Sequence, residues 1–293
     1  MGVKSGSRIW KSNLEVESTR AGDNRHEHGC NLSAGHASKC RHCNLTRVRD
    51  ISIGHCEEFS IETEFRAEPR PTSFRPVAAP WHTVFVLALI AILACWGSLR
   101  ADRMRALLNP DRVKLYERTI LFEWLLLGVV LIGVRLRGSS LFTVLGDRWR
   151  SGHQFLRDVG IGLLFLIASI TVSSILGSHS SAGDKATQFL LPQGKIETVL
   201  WVVLSMTAGI CEEAIYRGYL QKQWMALTKS APAGIVLSAL VFGGAHAYQG
   251  FARASLIGVM GAMSGVLAHW CGSVRPGMIA HALQDVLGAF VRH

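Results

Sequence analysis

Charge is scarce in this chain. Of its 293 residues only 18% are Asp, Glu, Lys or Arg, and 21 acidic residues face 31 basic ones. A soluble domain usually carries about a quarter of its residues charged, so an ordinary hydrated surface is excluded. Cysteine is present but not as a framework: seven residues, an odd number, are divided between a polar tail and an apolar body, which argues against complete disulfide pairing. The first twenty residues lack an apolar core behind a charged start, so no signal peptide is expected. Gly6 stands where a myristoylation signal requires Ser or Thr. The helical zinc signature His-Glu-x-x-His is missing, as are any Gly-x-Gly-Asp and any internal repeat.

What remains is apolar. Hydrophobic residues make up 49% of the chain, mean hydropathy is +0.25, and nearly all of this weight follows Trp81. That pattern predicts an integral, multi-pass membrane protein, an all-α bundle of about 6–8 transmembrane helices behind a polar N-terminal tail. The net charge of +10 would suggest nucleic acid in a soluble protein. Here the arginines cluster between apolar runs, where anionic lipid headgroups are the better partner. Membrane lipid is therefore expected as a partner, and nucleic acid is not.

Residues 1–76 have neither a helical nor an alternating period and too little apolar content for a core, so a disordered tail is expected there. Cys40-Arg41-His42-Cys43 has metal-knuckle spacing, but no second Cys-x-x-Cys follows at zinc-ribbon distance. The tail is expected to be dispensable, with the membrane domain over 77–293. Apolar spans are predicted at 81–99, 119–134, 159–176 and 197–210. Asn109-Pro110-Asp111 breaks the chain between the first two. Glu123 interrupts the second span beside Trp124. Basic residues flank that span on both sides, so charge bias sets no orientation. Three shorter segments rich in Gly and Ala follow, at 233–247, 254–270 and 277–290. Glycines such as Gly243, Gly244, Gly258, Gly261 and Gly265 let membrane helices approach closely.

The chemistry sits where the fourth span ends, at Cys211-Glu212-Glu213-Ala214-Ile215-Tyr216-Arg217-Gly218. Ionisable groups at membrane depth cost several kcal/mol unless paired or hydrated. Glu213 and Arg217 stand at i, i+4 and can pair on one helix face. Glu212 points elsewhere and is left unneutralised. Adjacent carboxylates disfavour each other's ionisation, which suits one of them to act as a general base. Two later segments each bring a histidine: Phe242-Gly243-Gly244-Ala245-His246, and His281-Ala282-Leu283-Gln284-Asp285. Taken singly, each is more simply a buried histidine or an interfacial ion pair. Together they predict one wet cavity between helices. A carboxylate and an imidazole can hold and deprotonate one water, while donors opposite stabilise an oxyanion. The same donors, Glu212, His246 and His281, also match the nitrogen and oxygen set of a divalent metal such as zinc. A serine route through Ala262-Met263-Ser264-Gly265 leaves Glu212 and Arg217 idle.

These three ordered motifs, Glu212-Glu213-x-x-x-Arg217, Phe242-x-x-x-His246 and His281-x-x-x-Asp285, resemble those of the CAAX prenyl endopeptidase and bacteriocin-processing (Abi) family of membrane proteases. The resemblance covers about 81–293 and is most specific in the last third. It implies a helical membrane endopeptidase acting on a peptide or protein substrate, prenylated or otherwise membrane-associated. Glu212 and His246 would then activate water, and His281 and Asp285 would steady the oxyanion. Glu213, Arg217 and Phe242 would support the site. The last motif position is often Asn in that family, and here it is Asp285. The competing expectation is a non-catalytic immunity or scaffold protein that binds a peptide or lipid in the same cavity.

Overall fold

The structure is a computed structural model, and it describes residues 74–107, 109–177 and 188–290. The expected tail, with its Cys and His residues, lies outside the described residues as far as Ser73. All described residues fall within one compact unit, Ala67–His293, and every regular element among them is helical.

Helix α1, Pro80–Arg105, opens on a proline, whose missing N–H is harmless in a first turn. Helix α2, Arg112–Leu136, follows the predicted break and is capped by Asp111, whose side chain accepts from the Lys114 N–H at 3.0 Å. The Lys114 side chain, 2.8 Å away, and this N–H hold the Asp111 carboxyl below the usual carboxylate range. A short α3, Phe142–Leu145, leads to α4, Gly152–Gly177. Helix α5, Lys195–Glu212, passes without a stop into a π-helical stretch, Glu213–Leu220, and then into α6, Gln221–Thr228. Ser230 caps α7, Ala231–Ala245, by accepting from the Ala233 N–H. Helices α8, Phe251–Cys271, and α9, Arg275–Phe290, complete the bundle.

Five helical runs are long and apolar enough to cross a bilayer: α1, α2, α4, α8 and the continuous 34-residue run Lys195–Thr228. Their outward faces carry Val84, Ile92 and Leu164 at 67%, 62% and 71% exposure. Such faces are stable only against hydrocarbon. The protein is a multi-pass integral membrane protein. At 1.5 Å per residue, α7 and α9 are only roughly 22–24 Å long. They pack inside, α7 against α6 and α8, and α9 against α4 and α5. Gly209 permits the last contact: a Cβ there would lie 2.7 Å from the Ala282 Cβ and 2.8 Å from the Met278 carbonyl oxygen.

The fourth span does not end at Ile210. It runs on to Thr228 because neighbouring helices, rather than water, receive its polar residues. Fully buried Gln223 accepts from the N–H groups of Val77 (2.7 Å) and Ala78 (3.2 Å), and its Nε2 donates to Thr83 Oγ1 (2.6 Å). Tyr219 Oη meets His82 Nδ1 at 2.7 Å. The entry to α1 is thus tied to the far end of the central run, and the folded unit begins ahead of Pro80.

Candidate functional site

The site is built around the π-helical stretch. All eight residues from Glu213 to Leu220 are buried. An i→i+5 register loosens the helix and is found mostly at functional positions. Here a neighbouring helix helps satisfy the altered backbone, since Ser238 Oγ on α7 donates to the Tyr216 carbonyl at 2.7 Å. Glu213 and Arg217 pair at 3.1 Å inside the protein. Arg217 also stacks over Phe242, its guanidinium carbon 4.2 Å from the ring centroid. Gly277 leaves room for this pair, because a Cβ at that position would lie 2.9 Å from Glu213 Oε2.

The paired glutamates separate in role as well as direction. Glu213 faces inward to Arg217 and also accepts from His281 Nδ1 at 3.2 Å. Glu212 faces a cavity of about 850 Å³. Its Oε1 lies 3.8 Å from His246 Nε2 and its Oε2 lies 3.6 Å from His281 Nε2. His246 Nδ1 is 2.9 Å from the Phe242 carbonyl. A carbonyl only accepts, so Nδ1 carries a proton, and Nε2 is the nitrogen that faces Glu212. Phe242 makes edge contacts with both imidazoles, at 4.8 Å and 6.1 Å between centroids. Asp285 Oδ2 stands 3.5 Å from His281 Nε2, on the cavity side of the ring. The Asp285 backbone carbonyl accepts from Trp201 Nε1 at 3.0 Å.

The four residues expected to carry chemistry, Glu212, His246, His281 and Asp285, therefore come together from α5, the end of α7 and α9. Glu213 takes the rear nitrogen of His281, and Asp285 faces the front one. Glu212, His246 and His281, which also matched a divalent-metal set, do not group as one here: among the described residues no three His, Cys, Asp or Glu side chains are arranged to hold a metal ion. His281 has carboxylate oxygens near both ring nitrogens.

The cavity also holds residues that motif spacing did not assign. Trp201, Ser169 and Gln284 line it, and Ser169 Oγ donates to Gln284 Oε1 at 2.7 Å. Glu123 of α2 lines it as well, and its Oε2 is buried without a hydrogen-bond partner. The signal for Glu123 was a carboxyl inside an otherwise apolar span.

Residues 194–287 match the model of the family described as type II CAAX prenyl endopeptidase Rce1-like. No curated protein and no solved structure matches the chain. The matched stretch contains all three motifs and runs from the start of α5 to within one turn of the end of α9. Helices α1, α2 and α4 lie before it.

Proposed function

We propose, with this family match over residues 194–287 as premise, that the protein is an intramembrane endopeptidase. It hydrolyses a peptide bond in a membrane-associated, prenyl-bearing peptide by means of water activated between Glu212 and His246. The observation that carries this reading is the placing of His246, whose Nδ1 donates to the Phe242 carbonyl while Nε2 faces Glu212 Oε1 across 3.8 Å. One water can hydrogen-bond to both atoms there. Glu212 takes the proton, and the hydroxide adds to the carbonyl carbon. His281 enters from the other side of Glu212 as donor to the developing oxyanion. The buried Arg217–Glu213 pair holds the His281 ring from behind, so this donor is in place before substrate arrives. The apolar cavity walls, among them Leu93, Phe122 and Phe165, suit an isoprenoid chain and keep bulk water from competing.

The test is cleavage of a farnesylated peptide by the purified protein in lipid vesicles, with products read by mass spectrometry. Wild type should give a single cut close to the modified cysteine. Glu212→Gln should lower turnover by about 100-fold or more, the usual worth of a general base, without lowering membrane abundance. Normal turnover in that variant would remove Glu212 from the chemistry.

A further inference from the structure

The cavity contains one carboxyl that water activation does not use. Glu123 sits midway along α2, on a wall separate from the histidines. Helices α2 and α9 each pack against α5, so Glu123 approaches Glu212 from the α2 side while His281 and Asp285 approach it from α9. Its electrostatic neighbours are Glu212, His281 and Asp285. Among the described residues no cation lies within ion-pair distance of it and no donor reaches Oε2. Of the arginines lining the cavity, Arg217 is engaged by Glu213 at 3.1 Å. A carboxyl oxygen enclosed without a cation or donor is costly, unless it carries a proton of its own to give. A membrane helix that needed only apolar bulk here would carry Leu, and an uncompensated Glu in such a place marks function.

We infer that Glu123 is the acid that protonates the departing amine. The inference rests on the endopeptidase reading above. Hydrolysis of an amide needs two proton transfers. The first removes a proton from water to Glu212 as the C–O bond forms. The second delivers a proton to nitrogen as the C–N bond breaks, because an amide anion does not leave. In the tetrahedral intermediate the oxyanion and the leaving nitrogen project from carbon in different directions. With the oxyanion toward His281 on α9, we place the nitrogen toward the α2 wall, where Glu123 lines the cavity. Glu123 gives its proton there, becomes a carboxylate, and regains a proton from Glu212 through water as product leaves. Charge and protons balance over the cycle, and no co-reactant is needed.

An ester separates this role from a structural one, since an alkoxide leaves with far less help from an acid. The experiment compares the farnesylated peptide with its depsipeptide, an ester replacing the scissile amide, in wild type, Glu123→Gln and Glu123→Asp. In Glu123→Gln, kcat on the amide should fall by about 100-fold or more, with KM nearly unchanged. Ester turnover in the same variant should fall by less than about fivefold, since the acid step no longer limits it. Glu123→Asp, which keeps the acid on a shorter arm, should recover part of the amide rate. Equal losses on amide and ester would overturn the inference, as would a normal amide rate in Glu123→Gln. A wild-type protein inert toward both compounds would instead overturn the parent reading. Cleavage by wild type with an indifferent Glu123→Gln would overturn this inference alone.

Discussion

In the most apolar windows of α1, α2 and α4, 17%, 22% and 17% of residues are buried. The corresponding shares are 44% in the central run Lys195–Thr228 and 39% in α8. All five segments are apolar enough to span a bilayer, but the first three are the more apolar, with mean hydropathies of 2.1, 2.0 and 2.3 against 1.5 and 1.5. The first three spend their apolar residues on lipid, and the last two spend more of theirs on protein. Hydrocarbon is an undemanding neighbour, because any side chain of suitable polarity satisfies it. A neighbouring helix at close range is demanding, because it fixes volume, and it fixes a partner for each polar atom. The difference predicts where substitutions should matter, and it can be broken from either side.

The largest effect is expected at the buried ion pair. Arg217→Ala leaves Glu213 charged and enclosed, and loss of one partner of a buried pair costs about 3–5 kcal/mol. Thermal unfolding of the detergent-solubilised protein should show it as a marked drop in stability. The exchange Glu213→Arg with Arg217→Glu should recover part of that stability. It should not recover activity, because it turns a cation toward His281. A swap that restored turnover would show that Glu213 serves Arg217 alone.

Next comes the α5–α9 contact. Gly209→Val forces two helices apart where a Cβ already lies 2.7 Å from Ala282. Overpacking of this kind costs about 1–3 kcal/mol, and the displaced α9 carries His281. Activity should therefore fall more steeply than abundance on immunoblots. A fully active Gly209→Val would show that the close approach is dispensable.

Gln223 sharpens the comparison from the other side, because it makes part of the lipid-facing half depend on the packed half. Gln223→Ala leaves the Val77 and Ala78 N–H groups without their acceptor, at about 1–3 kcal/mol for buried groups so abandoned. A chain starting at Phe74 should insert and cleave normally, whereas one starting at Pro80 should show the same instability as Gln223→Ala. If loss of residues 1–73 abolished cleavage at full abundance, the tail would have a role in catalysis.

The smallest effect belongs to the lipid face. Leu164 is 71% exposed, and Leu164→Ile should shift stability by no more than about 0.5 kcal/mol. A large loss there would mean that the face meets protein in the membrane.

How much of this was legible beforehand follows from which interactions are local. Long apolar runs report their own environment, so the helical membrane architecture could be read directly from hydropathy. Asn109-Pro110-Asp111 marked the break between α1 and α2 for the same local reason, in backbone stereochemistry. The site residues stood out because ionisable groups are conspicuous in apolar segments, and Glu213 with Arg217 declared its pairing through i, i+4 spacing. Sequence alone therefore determined the membrane class, the helical content and the identity of the polar residues sharing a cavity.

Tertiary structure decided what those residues do to one another. Gln221 and Gln223 lie beyond the predicted fourth span, yet both are buried, because their partners lie more than 40 residues away. The π-helical register follows from packing against α7 and has no local marker in Glu213–Leu220. Glu123 was visible only as an anomaly, since its neighbour Glu212 is distant along the chain. Which glutamate orients His281, and which nitrogen of His246 is free, depend on directions across the cavity. Spacing along one helix specifies which side chains share a face. It carries no information about the angle at which a second helix arrives, and that angle sets the chemistry.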